Sequence, residues 1–347
     1  MTTVYSESRK LFKTKLQALS MLEILFWLVI FIVSLIVLVK SADSFTSAAE
    51  RIGVAIGIPS FLVGVTIVAF GTSLPELMSS VLAVIEGSSE IVVGNVVGSN
   101  IANILLVLGV AALLGGSIHI AHDIMRVDIP VLVASAFLLF LMVWDGQFTF
   151  WESLLCLAGI FIYLFYTMQS SNPTEPEKKL AEQDAPKKTE HRKHALKDWA
   201  IIGVGVIGLT LGAKYVVSSV LELSSLLGIG TEVIALVVVA FGTSLPELMA
   251  TFMAARKGNA EIAVGNVLGS NVFNTFMVMG TSGLVAPLTV SGQLLIPASV
   301  ISLAMPVMIV STLLFVFMTQ DKIVTKWDGW VLILFYIFFL ISSFELL

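Results

Sequence analysis

Charge and sulfur are what this chain has least of. Of its 347 residues only 12% are charged and one, Cys156, is a cysteine, whereas 57% are hydrophobic. A single cysteine excludes any disulfide within the chain, and its place in an apolar run makes it a packed thiol rather than a reactive one. So little charge, with a strongly positive mean hydropathy, excludes a soluble domain. No HExxH zinc motif, GxGD aspartate pair or adjoining nucleophile and base is found, so nothing points to an intramembrane enzyme or a resident cofactor. The formal net charge of -5, spread over membrane loops, gives no reason to expect a nucleic-acid partner.

Long apolar runs are plentiful instead. Stretches such as Met21 to Val39 approach or exceed the ~18 residues that cross a ~30 Å hydrocarbon layer, so the expected partner is the lipid bilayer. The first run is too long for a signal-peptide core and lacks a small-residue cleavage pattern, so it is read as a retained helix. Apolar segments and their breaks predict an all-α polytopic membrane protein with ten transmembrane helices, near 21–43, 58–85, 90–114, 127–143, 150–168, 198–219, 231–255, 261–285, 294–317 and 327–345. Residues 1–20 form a basic N-terminal tail. Residues 169–197, rich in both charge signs and in proline, form a hydrophilic linker rather than a domain.

The sequence repeats across that linker. Val68 to Asn103 and Val239 to Asn274 share 23 of 36 positions without a gap, so residues 21–168 and 198–347 are two copies of one five-helix unit. An odd number of helices per copy makes the second enter the membrane from the opposite face, an inverted-topology repeat of the kind found in many secondary transporters. Fourteen of the 19 lysines and arginines fall on the side of the linker, which places the linker in the cytoplasm and both termini outside; the basic tail, with Arg9, Lys10, Lys13 and Lys15, opposes that orientation.

Two motifs carry the chemistry. GTSLPEL occurs at Gly71 to Leu77 and again at Gly242 to Leu248. Ser73-Leu-Pro-Glu76 and Ser244-Leu-Pro-Glu247 read first as capping boxes, with serine at the cap and glutamate reaching back to it. The apolar residues before each motif suggest that the helix is already deep in the bilayer, so the second and seventh helices are expected to break there, which is tolerable only where the backbone lines a polar cavity. Such a break frees the carbonyls of Ala69 and Ala240 and sets the hydroxyls of Thr72, Ser73, Thr243 and Ser244 beside the carboxylates, an all-oxygen set suited to hard cations such as Ca²⁺ and Na⁺. A buried carboxylate costs at least ~2.5 kcal/mol on insertion scales, and one Ca²⁺, two Na⁺ or two protons neutralise the pair. The second motif, GNVVGSNIAN at Gly94 to Asn103, is echoed as GNVLGSNVFN at Gly265 to Asn274. On a helix Asn95, Ser99 and Asn103 share one face, as do Asn266, Ser270 and Asn274, while Gly94, Gly98, Gly265 and Gly269 make a close-packing face.

Paired GTSLPEL and GNxxGSNxxN motifs in two inverted halves resemble the sodium/calcium exchanger branch of the calcium/cation antiporter superfamily. The resemblance implies cation sites made by Glu76 and Glu247 with Thr72, Ser73, Thr243 and Ser244, then Ser99, Asn103, Ser270 and Asn274, with the carbonyls of Ala69 and Ala240. It also implies that the first and sixth helices slide as a gate. The related cation/proton branch shows Gly-Asn-Ala-Thr-Glu where this chain has Gly-Thr-Ser-Leu-Pro-Glu, which favours sodium as the driving ion. Some relatives, potassium-dependent ones included, carry aspartate where this chain has Asn274, so two carboxylates argue against potassium dependence. The linker cannot fold the regulatory domains of eukaryotic members, which implies a prokaryotic protein of the cytoplasmic (inner) membrane. The expected activity is Na⁺/Ca²⁺ antiport, with Ca²⁺/H⁺ or another divalent-cation exchange as the alternative and a passive cation channel as a rival of another class. His119 with His122, and His191 with His194, read as solvated loop residues; Glu90 and Glu261 complement helix dipoles at the starts of the third and eighth helices.

Overall fold

The computed structural model describes residues 2–55, 69–115, 118–119, 128–170, 195–256, 260–289 and 292–345. The expected second helix from 58 to 68, most of the linker, and His122, His191 and His194 lie outside the described residues. Helix α1 (Thr2–Ala55) begins well inside the expected tail and continues past residue 43. No proline or glycine occurs before Gly53, so nothing in the sequence stops it. After α1 come α2 (Ala69–Thr72), α3 (Leu74–Ile85), α4 (Ser89–Ala102), α5 (Gly109–Gly115), α6 (Asp128–Met142) and α7 (Phe150–Ser170). The second half has α8 (Ala195–Leu227), α9 (Thr231–Ile234), α10 (Ala240–Thr243), α11 (Leu245–Arg256), α12 (Ala260–Phe273), α13 (Met279–Val285), α14 (Met305–Thr319) and α15 (Lys326–Glu345).

Six helices among the described residues are long and apolar enough to cross a membrane, and a bent pair makes a seventh. The six coincide with the expected first, third, fifth, sixth, ninth and tenth spans. The bent pair, Thr231–Thr243 with Leu245–Arg256, is the expected seventh and turns by 43°. Burial sorts them into centre and periphery: the most apolar window of Ser89–Leu114 is 83% buried, against 17% for those of Met21–Ala49 and Phe150–Thr167. The outer helices turn their aliphatic side chains outward, and Trp144, Trp151, Trp199, Trp327 and Trp330 stand exposed near helix ends, as interfacial tryptophans do. Cys156 is buried, its thiol 3.8 Å from the Met142 sulfur.

Two short antiparallel ladders tie the halves together. β1 (Ile118–His119) pairs with β4 (Ile323–Val324), and β2 (Gln147–Phe148) with β3 (Leu294–Leu295). Ile118 and Leu294, like Phe148 and Val324, stand 176 positions apart, so Ile118↔Val324 and Phe148↔Leu294 are the same pair with the halves exchanged.

The glycines of the second motif differ between copies. A Cβ on Gly94 or Gly98 would run into the backbone of Glu232 or Leu236, so the absent side chain is what lets α4 meet the seventh span. A Cβ on Gly265 or Gly269 would meet nothing within 4 Å; by the repeat, their counterpart partners start at residue 61, outside the described residues.

Candidate cation site

Both GTSLPEL motifs bend the chain at their serine. Ser73 has φ -89° and ψ 7°, and Ser244 has φ -81° and ψ 4°, the same departure from helical geometry at equivalent positions. The proline that follows occupies the first turn of the new helix, where its missing N–H is no loss. Backbone bonds bridge each bend: Leu77 N–H donates to the Ser73 carbonyl at 3.1 Å and Leu248 N–H to that of Ser244 at 3.0 Å. The Ala240 carbonyl, expected to be freed, accepts the Ser244 N–H at 3.1 Å and lies 3.4 Å from the Thr243 hydroxyl. This bend is too gentle to open the backbone ladder at that point, so only the second lone pair of that carbonyl is left over. Ala69 sits at the equivalent place, as the first residue of α2.

The capping box does not form. Ser73 makes no side-chain bond to its own helix. Each glutamate turns instead toward the other half. Ser244 Oγ donates to Glu76 Oε1 at 3.5 Å, with Thr243 as the second hydroxyl neighbour of Glu76. Thr72 and Ser73 are the hydroxyl neighbours of Glu247. Crossed in this way, each carboxylate faces the Thr-Ser pair of the opposite repeat.

Both glutamates are fully buried. Buried polar atoms with no hydrogen-bond partner include Ser73 Oγ, Glu76 Oε2, both carboxylate oxygens of Glu247, Ser99 Oγ, and the amide oxygen and nitrogen of Asn103 and of Asn274, whose turns pack against α11 and α3, the helices that carry the glutamates. Each such group costs ~1–3 kcal/mol, and a charged one more, so a protein seldom gathers them without a guest to satisfy them. Ser270 is buried at the position equivalent to Ser99. The donors are all oxygen, from carboxylates, hydroxyls and amides, with no sulfur or imidazole, the set that hard cations take. Among the described residues no three His, Cys, Asp or Glu side chains come together, so two carboxylates supply the charge.

The polar stripes of the second motif divide by task. Asn95 Nδ2 donates to the Glu76 carbonyl at 3.3 Å and to Ser79 and Ser80 hydroxyls at 3.2 and 3.1 Å, and Thr243 Oγ1 donates to Asn95 Oδ1 at 3.3 Å. Asn266 Nδ2 likewise donates to the Glu247 carbonyl at 3.3 Å and to Thr251 at 2.9 Å. These first amides hold the glutamate backbones, while the amides two turns further on, at Asn103 and Asn274, stay unpartnered. Both of those residues open a π turn, Asn103–Leu108 and Asn274–Val278, a local widening often found at functional sites. The bracing hydroxyls could have been read from Ser80 and Thr251, which occupy equivalent places one turn after each glutamate; the π turns have no such signature. Another missed contact is asymmetric: Asn100 Nδ2 donates across to Thr275 Oγ1 at 2.9 Å, whereas Asn271 donates to its own helix at Val267, because Ile104 stands where the second half has Thr275.

The peripheral candidates fall elsewhere. Glu90 is engaged by the Thr231 hydroxyl at 3.0 Å, tying the starts of the third and seventh spans. His119 belongs to the β1 ladder.

Known proteins resemble the chain along most of its length. The model of the sodium/calcium exchanger protein family matches residues 26–169 and 197–344. The chain is 34% identical over 349 residues to sodium/calcium exchanger MaX1 of Methanosarcina acetivorans, covering 91% of this chain and 97% of that protein. It is 32% identical over 260 residues to inner membrane protein YrbG of Escherichia coli, covering 74% of this chain and 79% of that one. Among solved structures, the sodium-calcium exchanger NCX_Mj soaked with 2.5 mM Na⁺ and 1 mM Sr²⁺ superposes with a TM-score of 0.62 at 27% identity, over 90% of this chain and 96% of that one. The same exchanger soaked with 2.5 mM Na⁺ and 0.1 mM Ca²⁺ gives 0.61 at 26% identity, over 90% and 97%.

Proposed function

Because the chain belongs to the sodium/calcium exchanger protein family and is a prokaryotic-type member of it, we propose that it exchanges Na⁺ for Ca²⁺ across the membrane through one site shared by its two halves. Cation antiport involving Ca²⁺ follows from the family; the sodium counter-ion and the residues are the proposal. The observation that carries it is the crossed pair: Glu76 toward Thr243 and Ser244, Glu247 toward Thr72 and Ser73, with unpartnered carboxylate oxygens on both. One Ca²⁺ or two Na⁺ discharge the two carboxylates equally well, so the ions compete for shared ligands, and the uncovered pair opposes the conformational crossing. The proposed ligands are Glu76, Glu247, Thr72, Ser73, Thr243 and Ser244, then Ser99, Asn103, Ser270 and Asn274. The carbonyls of Ala69 and Ala240 would serve through their remaining lone pairs.

The proposed architecture is ten spans in two inverted repeats, 21–168 and 198–347, with the linker 169–197 cytoplasmic and both termini outside. Contacts between loops support it. That arrangement puts β1 and β4 on one face and β2 and β3 on the other, and each strand pairs with its same-face partner. Arg51 with Asp198 on the linker side, and Glu90 with Thr231 on the opposite side, obey the same rule. The first and sixth helices form the moving unit. Helix α1 lies along α8 and touches both site motifs, Thr46 against Gly71 and Leu35 against Gly242.

The test is sodium-gradient-driven ⁴⁵Ca²⁺ uptake into proteoliposomes. Uptake that needs an outward Na⁺ gradient and is lost in Glu76→Gln and Glu247→Gln supports the reading; undiminished flux in either variant sinks it. A second reading, Ca²⁺/H⁺ exchange, draws on the same buried carboxylates, since two protons discharge them as well. Uptake driven by a pH gradient without sodium would select it, and flux without any counter-ion would indicate a channel.

A further inference from the structure

The crossing of α1 and α8 leaves a groove on the outer surface that the ion site does not use. Gly205, Gly208 and Gly212 let the two helices approach: a Cβ on Gly208 or Gly212 would collide with Ser41 or Leu38 of α1, and one on Gly205 would crowd Phe45. Just beside that seam lies a cavity of about 490 Å³ whose polar lining is Lys40, Ser41, Ser44 and Lys197, over an apolar floor that includes Val37 and Val204. A second cavity of about 510 Å³ continues it along the same two helices, lined by aliphatic residues such as Val33 and Leu211 and by Tyr215, and Val37 belongs to both. One continuous trough therefore has a basic, hydroxyl-bearing head and a long apolar tail.

The head sits where a lipid headgroup would sit. Lys40 closes the apolar run Met21 to Val39, and Lys197 lies two residues before exposed Trp199, an interfacial residue at the start of the apolar run of α8. Both lysines are exposed. The nearby acid, Asp198, is committed to Arg51 by an ion pair at 2.7 Å, and among the described residues neither lysine forms an ion pair, although exposed Asp43 lies one turn from Lys40. Two ammonium groups without an ion pair among the described residues, beside the Ser41 hydroxyl and that of Ser44, which here donates to the Lys40 carbonyl at 2.8 Å and can rotate away, match a phosphate diester, and the apolar trough matches acyl chains.

We infer that the α1–α8 groove binds an anionic phospholipid, its phosphate held by Lys40 and Lys197 with Ser41 and Ser44, and its chains laid along Val37 toward Tyr215. Because α1 also packs on Gly71 and Gly242, a lipid seated there bears on the helix pair that contacts both halves of the ion site.

The test is retention of lipid by the purified full-length chain, read by native mass spectrometry after equilibration with phosphatidylglycerol or phosphatidylcholine of matched chains. The wild type is expected to keep phosphatidylglycerol in preference. The double variant Lys40→Gln, Lys197→Gln is expected to lower that preference roughly thirtyfold, about fivefold per lysine, while Lys40→Arg, Lys197→Arg keeps it. Equal retention of both lipids by the wild type, or a preference that survives the double glutamine variant, would overturn the assignment. Neither lysine belongs to the proposed ion site, so the result is independent of which ions are exchanged.

Discussion

The two copies of GTSLPEL are identical letter for letter, yet the carboxylates they carry are held unequally. Each carboxylate faces the Thr-Ser pair of the opposite half, Glu76 with the Ser244 hydroxyl at 3.5 Å, but the amides behind them differ. Behind Glu76, Asn95 bonds to three partners on its own half and accepts from Thr243 of the other; behind Glu247, Asn266 has two partners, both its own. Asn100 reaches across to Thr275, while its counterpart Asn271 stays on its own helix. Duplication therefore repeated the positions of the proposed ligands, and divergence of their neighbours left the first half the more firmly braced. A pseudo-symmetric site with one stiffer wall can present two binding geometries to two ions from a single set of oxygens.

The comparison breaks most sharply at the glutamates themselves. Glu76→Gln and Glu247→Gln each remove one of two buried charges that a divalent ion needs, and each is expected to reduce sodium-driven ⁴⁵Ca²⁺ uptake by roughly a hundredfold or more. Equal loss in both, despite unequal bracing, is the expected outcome. Glycine comes next, read by thermal unfolding in detergent. Gly98→Ala would drive a methyl into the Leu236 carbonyl, which is backbone and cannot yield, and is expected to destabilise by ~1–3 kcal/mol. Gly242→Ala meets only the end of the Leu35 side chain, which can rotate away, and should lower the midpoint less.

Smaller effects separate the braces. Asn95→Ala forfeits bonds to both halves and should raise the half-saturating Ca²⁺ concentration about tenfold, against about threefold for Asn266→Ala, at ~0.5–1.5 kcal/mol per net bond. Smallest is the asymmetric tie. Thr275→Val leaves the Asn100 amide with only the Met308 sulfur at 3.7 Å, and is expected to shift apparent ion affinity about threefold, with Thr275→Ser restoring it. An Asn271→Ala change of the same size would remove the asymmetry from the account.

Much of this was legible in the sequence because duplication writes the site twice. The positions of the bends, the stripe of Asn95, Ser99 and Asn103, and the packing role of Gly94 and Gly98 all followed from spacing and from the period of a helix. What was not legible depends on contacts between halves. A capping box and a crossed carboxylate have the same local letters, and only the approach of Ser244 to Glu76 distinguishes them. A helix break predicts a free Ala240 carbonyl, but the bend of 43° is shallow enough for the Ser244 N–H to reach it. Polarity predicts ends for α1 near residues 20 and 43, but no breaker residue stands at either place and the helix runs through both.

The central claim is that one ion is gripped by both repeats through the crossed glutamates. Anomalous scattering from crystals of the full chain soaked in Sr²⁺, with and without excess Na⁺, tests it directly. The account predicts a peak between Glu76 and Glu247 within coordinating distance of hydroxyls from both Thr72-Ser73 and Thr243-Ser244, and its loss when Na⁺ is in excess. A peak coordinated by one repeat alone, or one that sodium leaves in place, would contradict it.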